Sequence, residues 1–199
     1  LPKYANDVLA ELAQRPSFVL VGTIEPRKGY LQAIQAFDLL RKQGIEVNLV
    51  IVGHEGWKGL EDHARRDIPA TVEALGTHPE LNKYLFWLEG ISDEFLEQVY
   101  AASSCLIAAS YGEGFGLPLI EAAQKGIPII ARDIPVFREV AGEHAHYFTA
   151  NHPEELANAI KIWLQLYSDN LHTHSKGMPW LSWQQSAENL HTSLLKHLN

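Results

Sequence analysis

Short runs of Val, Ile and Leu recur along this chain, and the stretches between them carry apolar residues at every third or fourth position. That alternation constrains the fold more than any other feature. Brief apolar runs suit strands buried on both faces, and helix-period stretches between them supply the crossovers that parallel strands need. Strands are predicted at 18–22, 47–52, 84–88, 105–109 and 128–131, with a weaker one at 145–148, and helices at 31–43, 93–101, 117–125 and 136–141. In the first helix Leu31, Ile34, Phe37, Leu39 and Leu40 make a broad apolar face. The predicted class is α/β: a Rossmann-like, doubly wound parallel sheet with helices on both faces. The stretch 56–83 has two helical pieces and no strand signal, so it is expected to be an insertion outside the sheet. Pro153 followed by Glu154 and Glu155 starts a helix toward residue 166. The polar stretch 168–179 then breaks the pattern, and a last helix runs from Trp183 to about His197.

A chain of 199 residues accommodates one well-buried domain. We expect a linker or short helix at 1–17, left from a missing amino-terminal domain, the sheet domain at 18–167, and a polar loop with a carboxyl-terminal helix at 168–199. The opening Leu1-Pro2-Lys3-Tyr4 has neither an initiator Met nor an apolar leader, which reads as a fragment. No segment approaches the ~18 apolar residues of a membrane span. Sixteen Lys and Arg against twenty-four Asp and Glu leave a net charge of −8, which argues against a broad nucleic-acid or anionic-membrane surface. An anionic ligand must then be held locally. The one cysteine, Cys105, lies in an apolar strand, where it reads as a core residue in a reducing, cytoplasmic setting. The pairs His144/His146 and His172/His174 lack a third ligand at metal spacing, and no metal site is expected. Trp180 and Trp183 read as packing for the terminal helix or a missing domain, with sugar stacking as the alternative.

Two loops stand at predicted strand ends, where doubly wound sheets bind ligands. The first is Val21-Gly22-Thr23-Ile24-Glu25-Pro26-Arg27-Lys28-Gly29. Gly22 lets backbone approach a ligand, and Arg27 and Lys28 place two cations near a helix start that itself favours anions. Arg offers a bidentate fork and Lys a compact charge, so the pair outlines a diphosphate clamp. A solvated helix entrance is the alternative. The second loop is Ser110-Tyr111-Gly112-Glu113-Gly114-Phe115-Gly116-Leu117-Pro118-Leu119-Ile120-Glu121. Gly114 and Gly116 present N–H groups at the head of a helix, a nest for phosphate or hydroxyl oxygens. Seven residues separate Glu113 from Glu121, so one carboxylate precedes the helix and the other lies inside it. A buried Glu121 needs a hydrogen-bond donor, which a ribose diol would supply; a Glu on the exposed face is the alternative.

The run Glu113-Gly114-Phe115-Gly116-Leu117-Pro118-Leu119-Ile120-Glu121 resembles the signature of the retaining glycosyltransferases of family four, whose donor-binding domain is one half of a GT-B fold. The likeness extends to the Val21–Gly29 loop, to Val52-Gly53-His54-Glu55-Gly56-Trp57, and to Gly126-Ile127-Pro128-Ile129-Ile130-Ala131 with Glu139-Val140-Ala141-Gly142. It covers roughly residues 18–166, and Trp183 with the last helix fits the family's carboxyl-terminal helix. The resemblance implies that Arg27 and Lys28 neutralise the donor diphosphate and that Gly22 lies beside it. It places Gly114, Phe115, Gly116 and Leu117 against sugar and phosphate, Glu113 on the transferred sugar's hydroxyls, and Glu121 on the ribose. Glu113, Arg27 and Lys28 are thus the candidate catalytic residues, without an obligatory cofactor or metal.

The chain's variant Glu25-Pro26-Arg27-Lys28 is similar to mannosyltransferase-like members, so GDP-mannose is the first donor expected, with UDP- or other nucleotide sugars as alternatives. The acceptor would be a glycan or a lipid-linked glycan in polysaccharide synthesis, bound through the missing half. Peripheral contact with the inner membrane face through that half is compatible with this reading. Many members have a Ser-rich stretch where this chain reads Arg132-Asp133-Ile134-Pro135-Val136-Phe137. Alone, the domain is expected to bind donor and to transfer poorly or not at all. Two rivals stand beside the transferase: an epimerase or phosphorylase of similar architecture, and a non-catalytic nucleotide-sugar-binding module.

Overall fold

The computed structural model of the chain describes residues 1–197. Six strands, β1 (Ser17–Val21), β2 (Asn48–Val52), β3 (Leu85–Leu88), β4 (Cys105–Ala108), β5 (Ile129–Arg132) and β6 (His146–Phe148), form one sheet in the order β3-β2-β1-β4-β5-β6. Every adjacent pair is parallel. The chain builds outward from β1 through β2 to β3, then returns to β1's other side with β4. β1 and β4 are therefore neighbours whose following helices lie on opposite faces of the sheet, and a crevice opens between them at their carboxyl ends.

Successive strand residues point to opposite faces, and the helices divide accordingly. Phe18, Leu20, Leu49 and Ile51 pack under α2 (Tyr30–Lys42), α3 (Ile68–Gly76) and α7 (Pro153–Ser168). Val19, Val50, Leu106 and Ile129 pack under α1 (Ala5–Ala13), α4 (Asp93–Ala102), α5 (Leu117–Gln124) and α6 (Pro135–Ala141). Phe18 is wholly buried and meets Trp163 of α7 edge-on at 5.4 Å; burying such a ring contributes about 1.5–3 kcal/mol. The doubly wound sheet is the class that the alternation predicts, and each strand lies within one residue of its expected position.

The stretch 56–83 holds two helical pieces outside the sheet, as expected, but it is not an insertion. It contains no strand among the described residues, yet it is the crossover between β2 and β3, and its helix α3 packs against α2 with Ile68 and Leu75 buried. Two parallel neighbours cannot be joined without such a connection. The stretch 1–17 holds α1, which buries Ala5, Val8 and Leu12 in the core shared with α4. The polar stretch after α7 is anchored too: Ser175 Oγ donates to the Ile127 carbonyl at 2.6 Å, and Met178 is 3% exposed. The last helix, α8 (Trp183–His197), leaves Trp183, Leu190 and Leu194 exposed. No helix among the described residues is long and apolar enough to cross a membrane.

Helix starts follow local chemistry. Ser92 caps α4, its hydroxyl accepting from Phe95 N at 3.2 Å, with Asp93 and Glu94 in the first turn. Ser92→Ala is expected to cost roughly 1 kcal/mol, about 2–4 °C of melting temperature in a domain this size. Thermal unfolding checks it, and an unchanged midpoint would mean that the acidic first turn suffices without the cap.

Candidate active site

The loop after β1 begins as an extension of the sheet. Gly22 N donates to Val52 O at 2.9 Å, Ile24 N to His54 O at 2.9 Å, and Gly56 N to Ile24 O at 3.0 Å. A Cβ on Gly53 would stand 1.9 Å from the Gly22 carbonyl oxygen, so only glycine permits this approach. Tyr30 Oη donates to the same oxygen at 2.6 Å. The chain then makes a short 3₁₀ turn at Pro26–Lys28, and Gly29 enters α2 with φ 71°. At that point the two loops touch: a Cβ on Gly29 would meet the Ala109 carbonyl oxygen at 2.4 Å.

Across the crevice, the loop after β4 brings Glu113 back over the turn. Arg27 Nη1 lies 2.5 Å from Glu113 Oε2 and 3.2 Å from the Gly112 carbonyl, while Lys28 Nζ donates to Glu113 Oε1. Ser110 Oγ donates to Oε1 at 2.8 Å, Tyr111 N donates to Arg27 O at 2.8 Å, and Glu25 holds Arg27 Nε at 3.1 Å. Both cations point at the glycine turn, and Lys28, Tyr30, Ser110, Glu113 and Gly116 line one small cavity between β1 and β4. Burial raises the Glu113 carboxyl's pKa, but the bonds from Lys28, Arg27 and Ser110 outweigh it and hold it below the usual glutamate range. Burial depresses Arg27 as well, and Glu113 and Glu25 more than offset that. At neutral pH the cluster is an ionised carboxylate between two cations.

The remaining candidates lie along the start of α5. Gly116 takes φ 88° as that helix's N-cap, against the Phe137 ring, while Gly114, Phe115 and Leu117 are exposed. Pro118 occupies the first turn, where no N–H is needed. Glu121 is not drawn into the Glu113 cluster. Its Oε2 accepts from Tyr100 Oη at 2.6 Å, and burial, then Glu121, push that phenol well above its ordinary pKa, so it stays a donor. Glu121 lines a separate groove of about 740 Å³ with Phe115, Leu117, Ile120, Trp180 and Trp183.

Inspection of the sequence assigns no role at this site to Ser110, Tyr30, Tyr100 or Arg132. Ser110 had a signal, a hydroxyl on the residue that leaves an apolar strand. Tyr100 had none, because its partner is 21 positions away.

Comparison with known proteins agrees with this fold. The family model for glycosyl transferases group 1 matches residues 6–176. The chain is 52% identical over 198 residues to the serotype-specific mannosyltransferase WbdA of Escherichia coli, covering all of this chain and 23% of that protein. It thus spans under a quarter of that relative's length. Among solved structures, the C-terminal domain of a glycosyl transferase group 1 protein, LpcC of Francisella tularensis, superposes with TM-score 0.63 at 18% identity, covering 87% of this chain and 88% of that one. Anabaena HepE, solved with UDP and glucose, gives TM-score 0.65 at 20% identity, over 87% of this chain and 45% of its own. With the doubly wound sheet, the two loops meeting between β1 and β4, and a family match across most of its length, this chain belongs to the glycosyl transferases group 1 family.

Proposed function

We propose that this domain holds the nucleotide-sugar donor of a retaining hexosyltransferase of polysaccharide synthesis, with mannose from GDP-mannose as the transferred group. The observation that carries it is the convergence of Arg27 and Lys28 on one carboxylate in the crevice between β1 and β4. Two cations fixed around an anion in the free protein are a site built for negative charge. The donor diphosphate would replace the carboxylate, taking the Arg27 fork and the Lys28 ammonium. As the glycosidic bond to phosphate breaks, charge accumulates on the leaving oxygen, and pre-placed cations stabilise that charge more than they stabilise the ground state. The reaction then needs no obligatory divalent metal.

Glu113, released from its cations, turns to the hydroxyls of the transferred sugar. Gly22 and the N–H groups of Gly114 and Gly116 let backbone reach the phosphates, and Phe115 and Leu117 form the exposed rim beside them. Glu121 accepts from the ribose diol in place of Tyr100. The WbdA relative is a mannosyltransferase, and a second relative, 33% identical over 157 residues, is an O-antigen chain mannosyltransferase of Salmonella typhimurium; both favour mannose, and the second favours polysaccharide synthesis. The acceptor, a glycan or a lipid-linked glycan, would be bound outside this domain.

Calorimetric titration of the chain with GDP-, UDP-, ADP- and dTDP-sugars tests the proposal. GDP-mannose is expected to bind most tightly. Preference for another base would reassign the donor, and binding of none would overturn the site.

A further inference from the structure

Arg132 ends β5 on the same edge of the sheet, and it is 6% exposed. A guanidinium withdrawn from water ordinarily sits against a carboxylate, since an unpaired buried ion is strongly unfavourable. Here every partner among the described residues is neutral. Nε donates to the Ala109 carbonyl at 2.9 Å, Nη1 to the Ala150 carbonyl at 2.5 Å, and Nη2 to Gln32 Oε1. The guanidinium carbon also lies 4.1 Å from the centre of the Tyr111 ring and 5.0 Å from that of Phe148. Burial draws its pKa down, yet arginine keeps its proton in proteins, so the edge carries a full charge without a counter-ion.

The partners show what the charge is attached to. Ala109 O is the atom against which Gly29 packs, so the Nε bond braces the contact between the two loops from behind. Tyr111 is held twice: its ring lies over Arg132 and its N–H grips the Arg27 carbonyl. The Gln32 bond ties the same guanidinium to α2, the helix that Lys28 and Gly29 lead into. A single rigid fork therefore touches both sides of the Arg27–Glu113 crevice at one remove. Lysine, with a point charge on a flexible stem, could not make three divergent bonds and two ring contacts together.

We propose that Arg132 is a positioning residue of the donor site, holding the start of the glycine loop against the Arg27–Gly29 turn while its unpaired charge adds to the pull on a diphosphate. The inference rests on the donor-site reading above and extends it to a residue outside both loops. Its rival is a purely structural fork filling space between Tyr111 and Phe148.

Arg132→Lys retains the charge and loses the fork, whereas Arg132→Met retains the length and loses both. GDP and UDP serve as probes, titrated calorimetrically at several salt concentrations and at a temperature where each variant is folded by circular dichroism. Substitutions that act on a site from outside it change coupling by about 2- to 30-fold. Arg132→Met is expected near the upper end, with a shallower salt dependence of affinity than wild type. Arg132→Lys is expected to lose less and to keep the wild-type salt slope. If both variants melt earlier but bind both nucleotides as wild type does, the role is structural and the proposal falls. Should Arg132→Met fail to fold, Arg132→Lys decides: unchanged affinity overturns positioning, and weaker binding with an unchanged slope supports it. Failure of the wild-type chain to bind either nucleotide would instead bring down the donor-site reading, and this inference with it.

Discussion

Lys28→Ala is expected to weaken nucleoside-diphosphate binding by about 1.5–3 kcal/mol, roughly 10- to 150-fold, while Glu113→Gln strengthens it. The opposite signs follow from one arrangement. In the free protein the Lys28 ammonium and the Arg27 guanidinium are both engaged by Glu113, so an incoming diphosphate competes with a resident anion. Removing the ammonium deletes a charge-assisted contact that the ligand would have made. Gln at position 113 keeps the shape of the carboxylate and removes the competitor, and the expected gain is about tenfold, or ~1.4 kcal/mol. Arg27→Ala should act as Lys28→Ala does, more weakly, because its side chain is 47% exposed against 14% for Lys28 and its contacts are better screened.

Calorimetry of the variants with GDP and UDP checks both signs. A Gln variant that binds more weakly than wild type would mean that Glu113 assists the diphosphate, and unaltered affinity in Lys28→Ala would remove the lysine from the site. The pH dependence has a defined sign as well. The Glu113 carboxyl is held below its ordinary pKa in the folded protein, so its ion pairs stabilise the fold fully above the usual glutamate range and are lost as pH falls through that lowered value. Over the same acid window the wild-type affinity should approach that of the Gln variant, because the competitor is being protonated.

Gly29→Ala is expected to cost about 2–4 kcal/mol of stability, combining roughly 1 kcal/mol for a left-handed residue with a Cβ and 1–3 kcal/mol for overpacking. The new methyl carbon would lie 2.4 Å from the Ala109 oxygen and 3.1 Å from its carbonyl carbon. Those are backbone atoms in the loop after β4, and no rotamer change relieves the clash. The two loops would have to part, carrying Lys28 away from Glu113, so affinity for a diphosphate should fall together with the melting temperature. Gly44→Ala is the control, since Gly44 has a comparable φ of 77° and open space where its Cβ would be. Thermal melts of the two variants compare strain with and without collision. Equal midpoints would mean that the loops are not in contact as described.

Periodicity is a local property, and what it governs was legible. Alternating strand and helix signals place all six strands and the helices α2, α4, α5 and α6, because each pattern is written within a dozen neighbouring residues. The crossover at 56–83 looked detached because α3 is short and has few buried anchors, and its role depends on β2 and β3 lying side by side, which no local pattern encodes. Arg27, Lys28 and Glu113 stood out as loop residues beside glycines, but their convergence comes from β1 and β4 being neighbours although 83 residues lie between Val21, which ends β1, and Cys105, which begins β4.

The same division applies to buried polar groups. Glu121 called for a donor from its place in an apolar helix, yet only the packing of α4 on the same face supplies Tyr100 as that donor. Arg132 reads in the sequence as a basic residue closing an apolar run; its carbonyls come from the ends of β4 and β6 and its amide oxygen from α2. By itself, then, the order of residues determined which segments are strands, which are helices and which loops carry charge and glycine, since backbone preference and amphipathicity act between near neighbours. The tertiary structure alone decided which loops meet and which buried donor answers which acceptor, because desolvated polar groups are satisfied by whatever distant backbone the sheet order brings within 3 Å or so.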